Sequence, residues 1–209
     1  MKIDLTNVGK RYNREWIFRN LTFSFNIHKR YAITGPNGSG KSTLLQVISG
    51  SSLHNEGNII YSGPNQQISP EAVYKSLSFC APYLDLIEEM TLTEFFNFHN
   101  KMKGWVSKMD TRQIIILLRL EKSAHKQIRN FSSGMKQRVK LAQAIFSNVS
   151  VIMLDEPATN LDEEGISLYN FLIENYCENR LVIVSSNDKK EYSFCDEIIG
   201  IMDYKPSND

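Results

Sequence analysis

Two short segments carry residue types that together suit phosphate and metal chemistry. Residues 35–42 read Gly-Pro-Asn-Gly-Ser-Gly-Lys-Ser, and residues 151–157 read Val-Ile-Met-Leu-Asp-Glu-Pro. The first has the GxxxxGK[ST] pattern of a phosphate-binding loop, and the second is an apolar run that ends in two adjacent carboxylates. Their combination predicts that the chain binds a nucleoside triphosphate with Mg²⁺ and hydrolyses it.

The glycine-rich loop supplies the predicted phosphate contacts. Its glycines allow a tight bend that brings backbone N–H groups close to an anion, and a helix beginning near Lys41 would aim its positive dipole end at the same place. Lys41 adds a full charge near the β- and γ-phosphates, Ser42 can ligate Mg²⁺, and Thr43 can bind the α-phosphate region. The alternative is a chance glycine-rich turn, which the strand-like residues before the loop and the helical pattern after it disfavour. The predicted nucleotide-binding residues of the loop are Gly35, Pro36, Asn37, Gly38, Ser39, Gly40, Lys41, Ser42 and Thr43.

The paired carboxylates follow a strand that the pattern predicts to be buried. Bare charges at such a position are costly, and Mg²⁺ supplies a reason for them. Asp155 is expected to hold the ion, and Glu156 to orient or deprotonate the attacking water. The alternative is an exposed strand end with two solvated acids.

Composition places the chain among ordinary globular proteins. It has 209 residues, 42% hydrophobic and 22% charged, with a formal net charge of +1. No global field therefore draws it to nucleic acid, and no nucleic-acid partner is expected. The three cysteines form no metal pattern and are expected to be reduced thiols. The N-terminal residues do not resemble a signal peptide, and the longest aliphatic run, Ile114–Leu118, is far too short to span a bilayer.

Strand-like and helix-like segments alternate on both sides of a helical block. This order predicts an α/β fold with a mainly parallel sheet, whose core is residues 1–82 and 148–203. A helical subdomain is expected at about residues 83–147, and a tail at residues 204–209. Residues 64–76 are interpreted as a connector. The predicted strands are Lys2–Val8, Ile17–Ile27, Tyr31–Thr34, Asn58–Tyr61, Leu77–Cys80, Val151–Leu154, Leu181–Ser185 and Ile198–Met202.

Two further segments bring a family resemblance. Phe131-Ser-Ser-Gly-Met-Lys-Gln-Arg resembles the LSGGQ-type signature of ATP-binding-cassette (ABC) ATPases, and Pro157-Ala-Thr-Asn-Leu-Asp is similar to the family's D-loop. The order of the four motifs is also the family's order, over nearly the whole chain. The resemblance implies a P-loop NTPase core with N-terminal antiparallel strands and an inserted helical subdomain, forming a single nucleotide-binding domain at residues 1–203.

The resemblance also implies how the nucleotide is shared. Tyr12 occupies the place of the adenine-stacking aromatic, with Trp16 as a rival and a core tyrosine as the alternative. Ser132 and Gly134 match the signature positions that contact a γ-phosphate held by another subunit. ATP would therefore join two cassettes head to tail, as a homodimer or a heterodimer.

Several positions depart from the family pattern. The signature has Ser133 and Met135 where the family has glycine and glutamine, which is expected to weaken binding without abolishing it. Pro82 stands where the family has a glutamine, so water or Asp85 is expected to take over at the metal. Asn187 takes the place of the switch histidine; its amide can still donate a hydrogen bond in catalysis but carries no charge, so slow hydrolysis is expected.

The leading interpretation is the ATP-hydrolysing subunit of an ABC membrane transporter. Its permease would be a separate chain, and the protein would be cytoplasmic and peripheral on the inner face of the cell membrane. Tyr83 and the acidic segment Asp85–Glu89 would then face the membrane partner or form a solvated loop. Two alternatives remain: a regulatory ATP-binding subunit that dimerises with little turnover, and a non-transport ABC ATPase.

Overall fold

The structure, a computed structural model, describes residues 1–106 and 109–206. Within these ranges the chain alternates between strands and helices, with short 3₁₀ turns between them. The strands are β1 (Lys2–Tyr12), β2 (Glu15–Phe25), β3 (Arg30–Thr34), β4 (Glu56–Ser62), β5 (Gln67–Ile68), β6 (Leu77–Cys80), β7 (Val151–Asp155), β8 (Leu181–Ser185) and β9 (Glu197–Gly200). The α-helices are α1 (Lys41–Ile48), α2 (Leu92–Lys103), α3 (Thr111–Leu117), α4 (Ser133–Phe146) and α5 (Glu163–Tyr176).

A five-stranded parallel sheet has the order β6-β7-β8-β3-β9. Every residue of β7 and β8 is buried, which explains why both strands are nearly continuous apolar runs. In the register of this sheet Cys80 lies opposite Leu154, and Asp155 lies opposite Ser185. The carboxyl ends of β6, β7 and β8 therefore meet at one edge, where α/β sheets place their ligands.

A second, antiparallel sheet has the order β2-β1-β4-β5. Strands β1 and β2 form a hairpin that turns at Asn13, whose φ of 54° suits asparagine. Side chains from this sheet, from α1 and from the parallel sheet fill one continuous core that includes Phe25, Tyr31 and Leu45. The predicted antiparallel N-terminal strands and mainly parallel sheet are confirmed.

The helical block begins with two well-capped helices. Thr91 and Glu94 form a capping box at α2, and Asp110 and Gln113 form one at α3. Helix α4 packs against β6, β7 and α5. Its apolar face thus joins the helical block to the second core of the molecule, which reaches from α2 to β8.

Some predicted element bounds are wrong. Strand β1 continues to Tyr12, four residues beyond the predicted end at Val8, because its polar end is paired with β2 through backbone bonds and not through apolar alternation. The predicted connector contains β5 and a 3₁₀ turn at Pro70–Lys75.

At the other end of the chain, β9 stops at Gly200 and a 3₁₀ turn, Ile201–Tyr204, takes over. Tyr204 packs against the first core. Residues 207–209 of the predicted tail lie outside the described residues. No helix in the described part of the chain combines the length and apolar character needed to cross a bilayer.

Candidate functional site

The glycine-rich loop joins the end of β3 to the start of α1. Gly40 immediately precedes the helix with φ of 101°, and a Cβ there would lie 2.2 Å from Cγ2 of Ile17. Gly35 has φ of 152°, and its Cβ would lie 2.8 Å from Cγ2 of Ile201. Both positions therefore require glycine, and the resulting bend directs the first N–H groups of α1 into the loop.

Lys41 is folded back over this loop. Its side chain is buried, and Nζ donates hydrogen bonds to the carbonyl oxygens of Gly35 at 2.9 Å and Pro36 at 3.2 Å. Inside the same loop, Ser39 Oγ is buried without a hydrogen-bond partner in the described ranges. A buried cation and an unpaired hydroxyl in one glycine-rich bend are suited to binding an anion.

Asp155 ends β7 at the same edge of the sheet. It is 1% exposed, and its Oδ1 has no hydrogen-bond partner among residues 1–106 and 109–206. Ser185 Oγ, on the neighbouring strand, is also buried and unpaired in that part of the chain. A buried carboxylate oxygen without a partner is costly, so the donor set fits an oxygen-liganded cation such as Mg²⁺.

Glu156 follows with an unusual backbone conformation. Its φ is 44°, in the left-handed region that non-glycine residues seldom adopt, and its N–H donates to the carbonyl of Ser185 at 2.8 Å. Unlike Asp155, its side chain is partly exposed. This bend turns the second carboxylate out of the buried strand, and the role of Glu156 toward an attacking water stays a prediction.

The predicted signature residues lie on a different surface. Ser132 caps α4, and its Oγ accepts a hydrogen bond from the N–H of Met135 at 3.3 Å. Ser132 and Gly134 line a cavity together with Arg138 and Asn160. None of residues 35–43, all of which the structure describes, lines this cavity. A Cβ on Gly134 would lie 3.0 Å from the carbonyl oxygen of Asn160. The two predicted halves of the nucleotide site are therefore not assembled within one chain.

A comparison with protein-family models identifies the family of this chain. The model of the ABC transporter family matches residues 18–159. The chain belongs to the ABC transporter family. The predicted family, fold class and nucleotide-binding function are thereby confirmed.

Relatives and solved structures agree with this assignment. An uncharacterized ABC transporter ATP-binding protein of Bacillus subtilis, YybJ, is 31% identical over 93% of this chain and 89% of its own length. The lantibiotic transport ATP-binding protein SrtF of Streptococcus pyogenes is 28% identical, over 96% of this chain and 86% of its own. A dimeric structure of the ATP-binding cassette MJ0796 in a post-hydrolysis state, bound to ADP and phosphate, superposes with a TM-score of 0.82 at 23% identity, covering 99% of this chain and 97% of its own.

In this ABC cassette the residue at the switch position contacts the phosphate loop directly. Asn187 Nδ2 donates a hydrogen bond of 2.8 Å to Asn37 Oδ1. The segment is held in register because Ser186 donates its N–H to the carbonyl of Ile33, at the end of β3. The amide of Asn187 therefore lies against the phosphate loop, and its contact with a nucleotide phosphate stays a prediction.

Tyr12 and Trp16 differ in what already covers their rings. Tyr12 is 48% exposed at the end of β1, with Lys10 Nζ 4.7 Å from its ring centroid. The guanidinium groups of Arg11 and Arg19 lie 5.4 and 4.6 Å from the Trp16 ring centroid. Tyr12 thus has the more open ring face, and its role in adenine stacking stays a prediction.

The loop after β6 brings a residue to the site that sequence reasoning had placed elsewhere. The Tyr83 hydroxyl accepts a hydrogen bond of 3.1 Å from Gln46 Nε2 on α1. Burial raises the pKa of Tyr83, and the nearby Asp155 carboxylate raises it further, against the lowering effect of Gln46. Tyr83 is 49% exposed, so its ring stays at the surface while its hydroxyl contacts α1 and lies close enough to Asp155 to feel that charge.

Two buried polar residues hold the D-loop, residues 157–162, in place. Gln137 Nε2 donates to the carbonyl of Pro157 at 2.7 Å, and Glu191 Oε1 accepts from the N–H of Ala158 at 2.7 Å. Burial raises the pKa of Glu191. Gln137 lies in the quoted signature segment, but nothing in the local pattern around Glu191 marks it as a partner of a residue 33 positions away.

Proposed function

We propose that the chain is the ATP-hydrolysing subunit of an ABC transporter, and that two cassettes bind ATP between them. The cassette is proposed to span residues 1–203. The phosphate loop of one copy would hold the nucleotide, and the signature residues of the other would contact its γ-phosphate. ATP binding would then join the two copies and hydrolysis would release them.

One observation carries this proposal. Asp155 is a fully buried carboxylate with an unpaired oxygen within the described residues, and it lies at the strand edge where the phosphate loop begins. A single chain thus offers a phosphate and metal site, whereas Ser132 and Gly134 line a separate cavity. A site shared between two copies would explain both the buried Asp155 and the separate signature cavity, because that cavity would then receive the γ-phosphate held by the partner copy.

The roles of the residues follow from their chemistry. Lys41 and the N–H groups at the start of α1 would bind the phosphates, and Ser42 and Asp155 would hold Mg²⁺. When bound, the ion would neutralise part of the negative charge of the phosphates. Glu156 would orient the attacking water and accept its proton, since its carboxylate is the partly exposed one of the pair.

Asn187 would donate a hydrogen bond to the γ-phosphate after leaving Asn37. An amide is neutral, so it stabilises developing negative charge less than a protonated histidine would. Turnover is therefore expected to be slow. The same observation favours a second candidate, a regulatory subunit that binds ATP and dimerises but turns over negligibly.

The partner is proposed to be a membrane permease on a separate chain. Support comes from the family and from relatives whose names describe ATP-binding proteins of lantibiotic transport. The working location would be the cytoplasmic face of the membrane. Co-purification of the tagged cassette with a multi-span membrane protein tests this proposal, and recovery of the cassette in the soluble fraction alone would contradict it.

Phosphate release from Mg²⁺-ATP tests the catalytic proposal. The wild-type protein should release phosphate, and Glu156→Gln should lower the rate at least about 100-fold while retaining ATP binding. Equal, negligible rates for the two proteins, with ATP bound by both, would favour the regulatory subunit. Equal but substantial rates would contradict the role of Glu156.

A further inference from the structure

Four polar side chains lie on α1, on β7, which α1 contacts, and on the loop after β6. Ser42 and Gln46 are four residues apart on α1, so they share one face of the helix. Asp155 ends β7, and Tyr83 follows β6, the neighbouring strand. Asp155 is buried with an unpaired oxygen in the described part of the chain, which marks this edge as a place for a ligand.

The Tyr83 hydroxyl has one acceptor bond and one remaining donor. Gln46 Nε2 donates to it at 3.1 Å, so the phenolic proton is left to donate, and the nearby Asp155 carboxylate is an acceptor for it when no ligand is bound. A neutral phenol is a poor direct ligand of Mg²⁺, but it is a good donor to a metal-bound water or a phosphate oxygen. Its position beside Asp155 places that donor at the metal site.

The backbone of the loop is fixed so that this position is defined. Lys140 Nζ, on α4, donates to the carbonyl oxygen of Pro82 at 2.8 Å, and the N–H of Leu84 donates to the carbonyl of Ala81 at 3.3 Å. Pro82 itself is exposed and has no side-chain donor or acceptor. The polar function of the loop therefore falls to the next residue, Tyr83.

We propose that Tyr83 is a positioning residue for the magnesium nucleotide. Gln46 holds its hydroxyl near Asp155, and the hydroxyl would donate a hydrogen bond to a phosphate oxygen or a metal-bound water of the magnesium nucleotide. The inference rests on the proposed ATP-binding function, and it assigns to Tyr83 and Gln46 a role that no sequence motif of this chain indicates.

Tyr83→Phe tests the proposal because it removes the hydroxyl and keeps the ring. The dissociation constant of ATP is measured twice, with Mg²⁺ and with EDTA. Tyr83→Phe should weaken binding about 5- to 10-fold with Mg²⁺, the loss expected for one ordinary hydrogen bond, and less than about twofold with EDTA. A loss of the same size in both conditions, or none in either, would overturn the proposal.

Tyr74→Phe is the matched control. Tyr74 lines the same surface groove as Tyr83, and no hydrogen bond to its hydroxyl occurs within the described ranges. It should bind ATP like the wild type in both conditions. A magnesium-dependent loss in this variant equal to that of Tyr83→Phe would show that the effect belongs to the groove and would overturn the proposal.

A second variant tests the support from α1. Gln46→Met removes the donor to Tyr83 and should give a smaller loss, also confined to Mg²⁺, with no further loss in the double variant with Tyr83→Phe. Additive losses would show that the two residues act independently and would overturn the pairing.

If the wild type binds no ATP with or without Mg²⁺, the proposed function fails together with this inference. If it binds ATP normally and Tyr83→Phe matches it, only the inference fails.

Discussion

The two surfaces that this cassette offers to a nucleotide are built in different ways. At the phosphate edge, defined by residues 35–43 and Asp155, three polar side chains are buried: Lys41 is bonded within the loop, and Ser39 Oγ and Asp155 Oδ1 are unpaired in the described part of the chain. At the signature edge, defined by Ser132, Ser133 and Gly134, the serines are exposed at the start of α4. Under the proposed function, the phosphate edge binds the nucleotide by itself and the signature edge receives a nucleotide held by another copy.

Lys41→Ala should produce the largest effect and should act on the phosphate edge alone. The buried ammonium is the only full positive charge within residues 35–43, so its loss should weaken ATP binding by about 100-fold or more. Isothermal titration with Mg²⁺-ATP measures this. Lys126→Ala, at an exposed lysine of the helical block, is the control and should bind normally. Normal affinity in Lys41→Ala would remove the basis for separating the two edges.

Acid should lower the free energy of unfolding through His99, which lies in the helical block that also carries the signature edge. Burial, with a smaller effect of Lys103, lowers the pKa of His99 to about 4 from 6.5. His99 on α2 contacts the end of α4 through Ser147 Oγ at 2.7 Å and Gln143 Nε2 at 3.3 Å. As pH falls below 6.5 the unfolded chain takes up the proton first, so stability falls between pH 6.5 and about 4.

At pH 5 this loss should reach about 2 kcal/mol, or about 30-fold in the unfolding equilibrium. Urea unfolding at pH 7 and pH 5 measures it. His99→Gln should flatten this part of the pH dependence, whereas the exposed control His125→Gln should keep it. Identical pH profiles for His99→Gln and the wild type would show that protonation of His99 does not cause the loss of stability in acid.

Ser132→Ala should separate binding from turnover. Ser132 caps α4 and is proposed to contact the partner's phosphate, so its loss should lower the rate of hydrolysis about 10-fold and leave ATP binding by the monomer within about twofold. Ser133→Ala changes the adjacent exposed serine and should have little effect. If Ser132→Ala weakens ATP binding by the monomer as strongly as it lowers turnover, the signature edge is part of the same-chain site after all.

Asn187→His should produce the smallest change, and in the favourable direction. A histidine at the mouth of the phosphate loop can carry charge, which should raise the rate of phosphate release about 5-fold if the neutral amide limits it. Asn187→Ala is the companion variant and should be slower than the wild type. An unchanged or lower rate for Asn187→His would show that the missing charge is not what limits turnover.

The sequence predicts best where the signal is local. The phosphate loop and the two buried strands β7 and β8 follow from short-range patterns that the structure reproduces. The end of β1 was mispredicted because backbone pairing across a hairpin continues after the apolar alternation stops. Strand ends of this kind depend on the partner strand and not on their own residues.

The contacts that complete the site were beyond local reasoning. Tyr83 meets Gln46 across 37 positions, and Glu191 holds Ala158 across 33. The second pair joins the segments that follow β7 and β8, and the first joins the loop after β6 to α1, so each depends on the packing of elements that are distant in sequence. The sequence suggested water or Asp85 in place of the missing glutamine and assigned Tyr83 to a membrane partner, whereas in the structure the Tyr83 hydroxyl contacts Gln46 on α1.

The most direct test of the central claim is the mass of Glu156→Gln with and without ATP. If the two edges are halves of one site, this variant binds ATP without hydrolysing it, and light scattering after size-exclusion chromatography should show a stable dimer with ATP and a monomer without it. Addition of Lys41→Ala should abolish the dimer. A monomer at saturating ATP, in a variant shown to bind the nucleotide, would contradict the claim that two copies of the cassette share their nucleotides.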